Sequence, residues 1–424
     1  MRPAGPGRDA PRGRGRWSWT ARARRDANPR HRGARGLRAT CARRARDLRS
    51  PRAGTAAACH DAGMSHLLAV APALPGPPRS QQELLDVVAP LVAAGDARTE
   101  ALARRLHAGC GVRTRHLALP LERYGEVRDF GQANDLYLEL ATELAARAAA
   151  DALDRAGLSA QDVDLVFLTS VTGVGAPSVD ALLVDRLGLR RDVTRVPSFG
   201  LGCAGGAAAL ARTHDHLTGH PHDVALVVSV ELCSLTLQPD DPSPANLVAS
   251  GLFGDGAAAA VLVGDDHPAA AVTTGPRVVA VGSRLYPGTA DHLGWRVGAS
   301  GFRIVLSAGL PDVVRAGVAA DVEGLLAAHG RKPGDVTRWV VHAGGPRILD
   351  AVQDALGLPS DALDASRASL ADVGNLSSAS VLHVLDRTLR AGTPAGSPGV
   401  LLAFGPGVGL EMVLLEWSTG GHGC

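Results

Sequence analysis

The sequence has few aromatic residues, no closely spaced cysteine pairs and no long apolar run. Only 3% of its 424 residues are aromatic although 46% are hydrophobic, so alanine, valine and leucine must fill the core. The cysteines lack CxxC spacing, which argues against a zinc site and a disulfide framework. No apolar run reaches the roughly 18 residues of a membrane span, and no secretory signal pattern occurs. We therefore expect a soluble, cytoplasmic enzyme without a bound metal.

Charge is distributed unevenly along the chain. Residues 1–63 contain 17 arginines and four acidic residues, a net charge of +13, whereas residues 64–424 have a net charge of −11. The first segment lacks apolar periodicity, so we predict a disordered, Arg-rich extension. A nucleic-acid-binding tail and a transit peptide both fit this composition. We favour a natural start at Met64, which would place the segment outside the native protein, and we do not expect a nucleic-acid partner.

From Met64 onward, predicted strands alternate with predicted helices, which indicates an α/β fold with a sheet covered on both faces. A weak internal sequence repeat is visible in this part of the chain. Phe253-Gly-Asp-Gly and Phe404-Gly-Pro-Gly each precede a strand-like run, and the predicted strands 164–169 and 339–342 resemble each other. Two copies of one βαβ-rich unit would explain this repeat, and so would a chance similarity of the glycine turns.

Cys203 is the most informative residue of the chain. It lies in Gly-Leu-Gly-Cys-Ala-Gly-Gly (200–206), between a strand-like run at 193–199 and a helix-forming run at 207–217. This context places the thiol near the positive end of a helix dipole, where a thiolate is favoured and the thiol pKa is lowered. A buried structural cysteine is an equally good interpretation of this segment alone, because free cysteines are among the most buried residues.

Two other polar residues lie at turns between predicted elements. His342 ends a buried strand just before Gly-Gly-Pro, and Asn375 begins a small-residue helix in Val-Gly-Asn-Leu-Ser-Ser-Ala-Ser. Considered alone, His342 would be a histidine whose ring is already hydrogen-bonded within the protein, and Asn375 would be a helix cap. Ligand sites in such sheets favour the carboxyl ends of the strands. We therefore predict that both residues lie close to Cys203.

Five short motifs together carry a family resemblance. They are Gly-Cys-Ala-Gly-Gly, Leu-Phe-Gly-Asp-Gly-Ala-Ala-Ala, His-Ala-Gly-Gly-Pro-Arg-Ile-Leu-Asp, Gly-Asn-Leu-Ser-Ser-Ala-Ser and Phe-Gly-Pro-Gly, in this order. Residues 64–424 thereby resemble the type III polyketide synthases, the chalcone and stilbene synthase superfamily, and nothing in residues 1–63 belongs to the match. Cys233, in Glu-Leu-Cys-Ser-Leu-Thr, resembles bacterial members.

The resemblance implies a five-layered αβαβα thiolase fold built from two duplicated halves. Residues 64–290 would form the half with the nucleophilic cysteine, and residues 291–424 the half with the histidine and asparagine. It also implies a homodimer that takes an acyl-CoA starter and malonyl-CoA extenders and needs no cofactor.

The resemblance further implies roles for individual residues. By position, Cys203 matches the acyl-accepting nucleophile, and His342 and Asn375 match the other two catalytic residues. The remaining matches are a gatekeeper aromatic, a second gatekeeper, three cavity-lining residues and two basic contacts for CoA phosphates. In that order they are Phe253, Phe302, Ser377, Cys233, Thr236, Arg104 and Arg105.

These residue types fit condensation chemistry. A thiolate can hold an acyl group as a thioester, an imidazolium beside it would stabilise that thiolate, and two N–H donors can stabilise the enolate oxygen left by decarboxylation. An initiating ketoacyl-ACP synthase shares the same three residues, but its histidine lies in a His-Gln-Ala-Asn run, whereas Ala-Gly-Gly-Pro follows His342. A non-catalytic thiolase-fold scaffold would lack one of the three residues.

The product is harder to predict, because the shape of the cavity determines it. Small residues near the expected cavity (Ala249, Ser250, Gly251 and Cys233) leave room for an alkyl chain. We therefore favour a long-chain starter and an alkylresorcinol or alkylpyrone product. Tetrahydroxynaphthalene made from malonyl-CoA alone is the alternative within the same family.

Overall fold

The computed structural model describes residues 63–93, 95–239 and 241–418. The predicted Arg-rich extension therefore lies outside the described residues, except for Gly63. We number the strands β1 (Ser65–Ala73), β2 (Arg79–Ser80), β3 (Thr114–Arg115), β4 (Leu165–Thr169), β5 (Thr194–Ser198), β6 (Val224–Leu232), β7 (Asp255–Gly264), β8 (Pro276–Leu285), β9 (Leu293–Gly298), β10 (Gly301–Leu306), β11 (Arg338–Val341), β12 (Pro398–Gly405) and β13 (Gly409–Trp417). The helices are α1 (Gln81–Ala93), α2 (Ala97–Ala108), α3 (Phe130–Ala156), α4 (Val179–Leu187), α5 (Gly205–Gly219), α6 (Pro244–Leu252), α7 (Leu310–Ala327), α8 (Pro346–Leu356), α9 (Asp364–Val373) and α10 (Ser380–Arg390).

Within the described part of the chain, nine strands form one sheet in the order β11-β12-β13-β8-β1-β7-β6-β4-β5. In one half, β4 runs parallel to β6, β6 antiparallel to β7, and β7 antiparallel to β1. In the other half, β11 runs parallel to β12, β12 antiparallel to β13, and β13 antiparallel to β8. The same pairing pattern occurs twice, which confirms the predicted duplication.

Helices cover these half-sheets in layers. α3 packs on β1, β6 and β7, and α7 packs on β8 and β13. Between the halves lie α5 and α10: α5 contacts β4, β6, β12 and β13, and α10 contacts β1, β7, β11 and β12. The order is helix, half-sheet, helix pair, half-sheet, helix, so the predicted αβαβα thiolase fold is confirmed.

The central position of α5 explains the small residues of the core. Every residue of β6 and β7 is buried, and because side chains alternate across a strand, successive residues face different layers. Val228 and Ala259 pack with the α3 side, whereas Val227 and Ala260 pack with the α5 side. Alanine and valine fill both narrow spaces, which agrees with the low aromatic content.

The structure differs from the sequence prediction at several boundaries. α3 begins at Phe130, because the Asp129 carboxylate caps it by accepting the N–H of Gln132 at 2.9 Å. α6 was not predicted. The boundary between the halves at residue 290 stays a prediction, since β8 precedes it and pairs with β1 of the first half and β13 of the second. Among the described helices, none is long and apolar enough to cross a membrane.

Candidate active site

Cys203 lies in a single 3-10 turn, Gly202–Ala204, directly before α5, and it is buried. Gly202 has φ +50°, and a Cβ at this position would lie 2.5 Å from Pro406. A Cβ at Gly405 would likewise lie 2.3 Å from the carbonyl oxygen of Leu201. Glycine is therefore required on both sides, and the Phe-Gly-Pro-Gly turn of the second half packs directly against the cysteine turn of the first.

The turn that carries Asn375 and Ser377 lies beside the thiol. The Cys203 S–H donates to Oγ of Ser377 at 3.7 Å. Oδ1 of Asn375 accepts the backbone N–H of Ser377 at 2.8 Å, which fixes the turn. α5 can approach this closely because residue 206 is glycine: a Cβ there would lie 2.3 Å from the carbonyl oxygen of Ser378.

His342 follows β11 and reaches the same region. Its backbone N–H donates to the carbonyl oxygen of Leu402 on β12 at 2.8 Å. Nδ2 of Asn375 donates to the carbonyl oxygen of Gly344 at 3.4 Å, which connects the histidine segment with the asparagine turn. His342 is 2% exposed, and neither of its ring nitrogens has a hydrogen-bond partner among the described residues. The ring therefore keeps hydrogen-bonding capacity that the described residues do not use.

Burial controls protonation at this site. It raises the pKa of Cys203 to about 12 and outweighs the lowering by the hydrogen bonds with Ser377 and Asn375, while the nearby Glu231 raises the pKa further. Burial also lowers the pKa of His342 to about 3. The predicted lowering of the thiol pKa by the helix dipole is therefore wrong, because the loss of hydration outweighs the dipole. Both shifts favour a neutral thiol and a neutral imidazole over an ion pair in the resting site.

This protonation state predicts the pH dependence of thiol reactivity. Because the pKa of Cys203 is raised, its alkylation by iodoacetamide should accelerate about tenfold per pH unit from about pH 6 to about pH 9. The rate is measured by mass spectrometry of the Cys203 peptide, with Cys203→Ala as the background. A rate that is constant above about pH 6 would instead indicate a thiolate formed in advance.

A cavity of about 50 Å³ contains three of the residues predicted to bind substrate. Cys233, Thr236 and Phe253 line it. Oγ1 of Thr236 donates to the carbonyl oxygen of Cys233 at 2.7 Å, and both residues are buried. Phe253 forms an isolated parallel bridge with Asn375, so this cavity lies next to the asparagine turn.

Phe302 does not line this cavity, and its role as a second gatekeeper stays a prediction. Its ring packs edge-on against Phe130 at 5.4 Å and against Trp295 at 6.2 Å. On the β9–β10 hairpin, the pair of Trp295 and Ile304 lines the cavity. Phe302 lies two residues nearer the turn and is directed into the aromatic cluster, so Trp295 is the aromatic residue that this hairpin contributes.

The predicted CoA contacts lie on α2, outside the cavity lining. Arg104 forms ion pairs with Glu100 at 2.8 Å and with Asp86 at 3.2 Å. Arg105 is exposed and has no ion pair within the described ranges. α2 packs against α6, which forms one wall of the cavity. Phosphate binding by these two arginines stays a prediction.

Arg115 is a cavity residue that the sequence did not reveal. It is 3% exposed, and its Nη1 donates to the carbonyl oxygens of Ser250 at 2.8 Å and Phe253 at 2.6 Å. Nε donates to Oε1 of Gln81 at 3.1 Å, but Nη2 has no partner in the described structure. Burial lowers the pKa of Arg115 to about 10, so the guanidinium remains charged at neutral pH. No motif distinguishes it from the other arginines.

Glu231 is a second residue that the sequence did not reveal. Its fully buried carboxylate accepts hydrogen bonds from Thr172 Oγ1 at 2.9 Å, from the Val171 N–H at 3.0 Å and from Ser378 Oγ. Burial raises the pKa of this carboxyl group. Glu231 thereby links the ends of β4 and β6 to the serine turn beside Cys203. It explains how that turn keeps its position between the two halves.

Comparison with known proteins agrees with this architecture. Residues 53–267 match the N-terminal domain of the chalcone and stilbene synthases, and residues 277–418 match their C-terminal domain. The first match begins at residue 53, so the expectation that nothing in residues 1–63 belongs to the family is wrong.

Individual relatives match over most of the chain. A 1,3,6,8-tetrahydroxynaphthalene synthase of Streptomyces peucetius subsp. caesius is 55% identical over 84% of this chain and 94% of its own length. The crystal structure of 1,3,6,8-tetrahydroxynaphthalene synthase from Streptomyces coelicolor A3(2), a bacterial type III polyketide synthase, matches with a TM-score of 0.78 at 36% identity, covering 84% of this chain and 99% of that one. PKS-I from the brown alga Ectocarpus siliculosus matches with a TM-score of 0.77 at 28% identity, covering 85% and 100%. The chain belongs to the chalcone and stilbene synthase family and is a type III polyketide synthase, an acyltransferase with a thiolase fold.

Proposed function

We propose that Cys203 carries the growing acyl chain as a thioester and that His342 and Asn375 stabilise the enolate of a decarboxylating malonyl-CoA. The observation that carries this proposal is the buried imidazole of His342, whose ring nitrogens have no partner among the described residues. Its segment is joined to the asparagine turn, and that turn contacts the thiol. Burying an unpaired polar group is costly, so a substrate oxygen is a natural partner for it.

Acylation begins with the neutral pair. As Sγ of Cys203 attacks the thioester carbonyl of an acyl-CoA, the thiol proton moves to His342. The C–S bond to CoA then breaks, and the leaving CoA thiolate takes that proton. The imidazole returns to its neutral form, and Cys203 holds the acyl group.

Condensation uses the same imidazole as a donor. Malonyl-CoA loses carbon dioxide, and the electron pair of the broken C–C bond forms an enolate whose oxygen accepts N–H bonds from His342 and from Nδ2 of Asn375. The present bond from Nδ2 to Gly344 is long, at 3.4 Å, so the amide can turn to the enolate at little cost. The enolate carbon then attacks the carbonyl carbon of the Cys203 thioester, the C–Sγ bond breaks, and the chain leaves on CoA, longer by two carbons. The released Cys203 thiolate takes a proton from water, which restores the neutral thiol.

We further propose that malonyl-CoA is both starter and extender and that the product is a polyhydroxynaphthalene. Two relatives named 1,3,6,8-tetrahydroxynaphthalene synthase support this choice. The cavity wall supports it as well, because Nη2 of Arg115, which has no partner among the described residues, would also lack one beside an alkyl chain. A poly-β-ketone chain offers oxygens to that donor.

The long-chain alternative has one observation in its favour. Leu84, Val87 and Val88 of α1 form an apolar wall on the same cavity. An alkyl chain would bury its surface there. The predicted alkylresorcinol or alkylpyrone product therefore remains the second candidate.

Product formation distinguishes the two candidates. With malonyl-CoA alone, we expect an aromatic product with the mass of a decarboxylated and cyclised pentaketide, found by liquid chromatography with mass spectrometry. Added palmitoyl-CoA should not increase the rate of malonyl-CoA consumption. The proposal fails if condensation starts only when a long-chain acyl-CoA is supplied.

One variant of Arg115 and one of Gln81 provide a matched comparison for that experiment. Arg115→Met removes the charged donor, and loss of a hydrogen bond to a charged group corresponds to about a tenfold or larger decrease in product yield. Gln81→Met removes only the partner of Nε, leaves Nη2 in place and serves as the control. Equal yields from both variants would mean that Arg115 only supports the cavity wall.

We also propose that the enzyme works as a homodimer in the cytoplasm. β5 forms an edge of the sheet and exposes Val196, and Phe199 beside it is 54% exposed. An exposed apolar edge strand is a template for pairing with another chain, and a second copy would cover it. Sedimentation velocity that gives only the monomer mass would contradict the dimer.

A further inference from the structure

A histidine-rich segment lies at the end of α5 opposite to Cys203. Residues 213–223 read Thr-His-Asp-His-Leu-Thr-Gly-His-Pro-His-Asp, with four histidines in eleven positions. Short histidine-rich tracts are typical of metal binding. The absence of CxxC spacing argued against a zinc site of cysteine ligands, but this segment contains no cysteine, so that argument does not apply to it.

Three side chains of this segment converge. His216 lies in the last turn of α5, His220 follows the helix as its C-cap, and Asp223 lies just before β6. One donor atom from each of the three lies within 4.8 Å of the other two. Nε2 of His216 is 3.0 Å from Oδ2 of Asp223, and the two imidazole rings stack with centroids 4.2 Å apart. Because the two rings lie nearly parallel, at an interplanar angle of 7°, they must turn toward a shared cation before zinc bonds of about 2.0–2.2 Å can form.

Hydrogen bonds that involve the backbone position two of these ligands. Nδ1 of His220 lies 3.0 Å from the carbonyl oxygen of His216. A carbonyl can only accept a hydrogen bond, so Nδ1 carries the proton and the lone pair of Nε2 is free to bind a cation. A metal-bound histidine almost always donates its other ring N–H in this way. The carbonyl oxygen of Asp223 accepts the N–H of Gly264 at 3.1 Å, which anchors the third ligand to β7.

The position also favours a cation electrostatically. The carboxyl end of a helix carries a partial negative charge, and Asp223 adds a carboxylate. Arg212, the nearest basic residue of α5 along the chain, forms an ion pair with Asp215, which is not part of the cluster. Two imidazoles and one carboxylate are a donor set that suits zinc, with water in the fourth position.

We propose that His216, His220 and Asp223 bind a divalent transition-metal cation of the Zn²⁺ type. The cation would join the last turn of the nucleophile-bearing helix to the start of β6. Cys203 precedes His216 by 13 residues, which corresponds to about 20 Å along a helix. The site therefore stabilises the folded chain and takes no part in condensation.

Zinc titration against a chromophoric chelator tests the proposal on the full chain. His220→Ala should weaken the tightest Zn²⁺ equivalent by about tenfold or more. His220 is exposed, so this variant is expected to fold. His222→Ala is the matched control, because His222 is also exposed and lies outside the cluster, with its Nδ1 3.3 Å from the carbonyl oxygen of Asp266.

Thermal unfolding provides a second measurement. Zn²⁺ should raise the unfolding midpoint of the wild type and of His222→Ala but not that of His220→Ala, since a ligand stabilises only the state that binds it. Because thiolates are also zinc ligands, the difference between the variants is decisive. Equal zinc affinity in the wild type and His220→Ala, or an equal loss in both variants, would overturn the proposal.

Discussion

Replacing Cys203 with alanine is expected to abolish condensation while malonyl-CoA decarboxylation continues. The thiol is the proposed acyl carrier, so its loss should lower product formation by about 10⁴-fold or more, as for other covalent nucleophiles. In the proposed mechanism, decarboxylation needs only the donors His342 and Asn375, which this change leaves in place. Carbon dioxide release and product formation are measured separately on the same enzyme.

Cys233→Ala is the matched control for this result. Cys233 is also a buried free cysteine, and it lines the cavity next to the site. Its replacement should preserve condensation within a few-fold, because it has no proposed part in acyl transfer. If Cys203→Ala still elongated acyl-CoA at the wild-type rate, the proposed mechanism would be wrong.

The second large effect is expected for Asn375→Asp. The substitution keeps the oxygen that accepts the Ser377 N–H, so the turn is preserved, but it replaces the N–H donor with a carboxylate oxygen. Losing one donor to a developing oxyanion typically costs about 10²–10³-fold in rate, and the added negative charge would also repel malonate. Decarboxylation should fall by at least this factor, whereas acylation of Cys203 should persist.

Ser380→Ala is the control for that variant. Oγ of Ser380 donates to Oδ1 of Asn375 at 3.3 Å, so its removal loosens the asparagine without removing the donor. A small decrease of the decarboxylation rate in Ser380→Ala and a large decrease in Asn375→Asp would separate oxyanion stabilisation from support of the turn. Equal losses of acylation and decarboxylation in Asn375→Asp would contradict the assigned role.

The turns that carry Cys203, His342 and Asn375 were predictable from the sequence, and the catalytic roles of these residues stay predictions. Cys203, His342 and Asn375 each follow or precede a short motif whose glycines allow close contact between elements, as at Gly206. The duplicated strand pairing is also visible in the sequence, since a Phe-Gly-x-Gly motif leads into both β7 and β13. Local patterns of this kind can be recognised in the sequence because their glycines are required at fixed positions along the chain.

Properties that depend on packing were not predictable. The dipole of α5 suggested a thiolate, but that helix lies between two half-sheets, and the resulting burial raises the pKa of Cys203 to about 12. Arg115 faces the cavity through contacts with α6 and Gln81 that no local pattern encodes. Trp295 rather than Phe302 lines the cavity, because the register of the β9–β10 hairpin decides which residue reaches it.

The most direct test of the central claim is the location of the acyl group on the working enzyme. The wild type is incubated with malonyl-CoA, quenched in acid and digested, and the cysteine-containing peptides are analysed by mass spectrometry. We predict an acyl mass increase on the Cys203 peptide and none on the Cys233 peptide. Product formation with an unmodified Cys203, or with the acyl group on Cys233, would contradict the account.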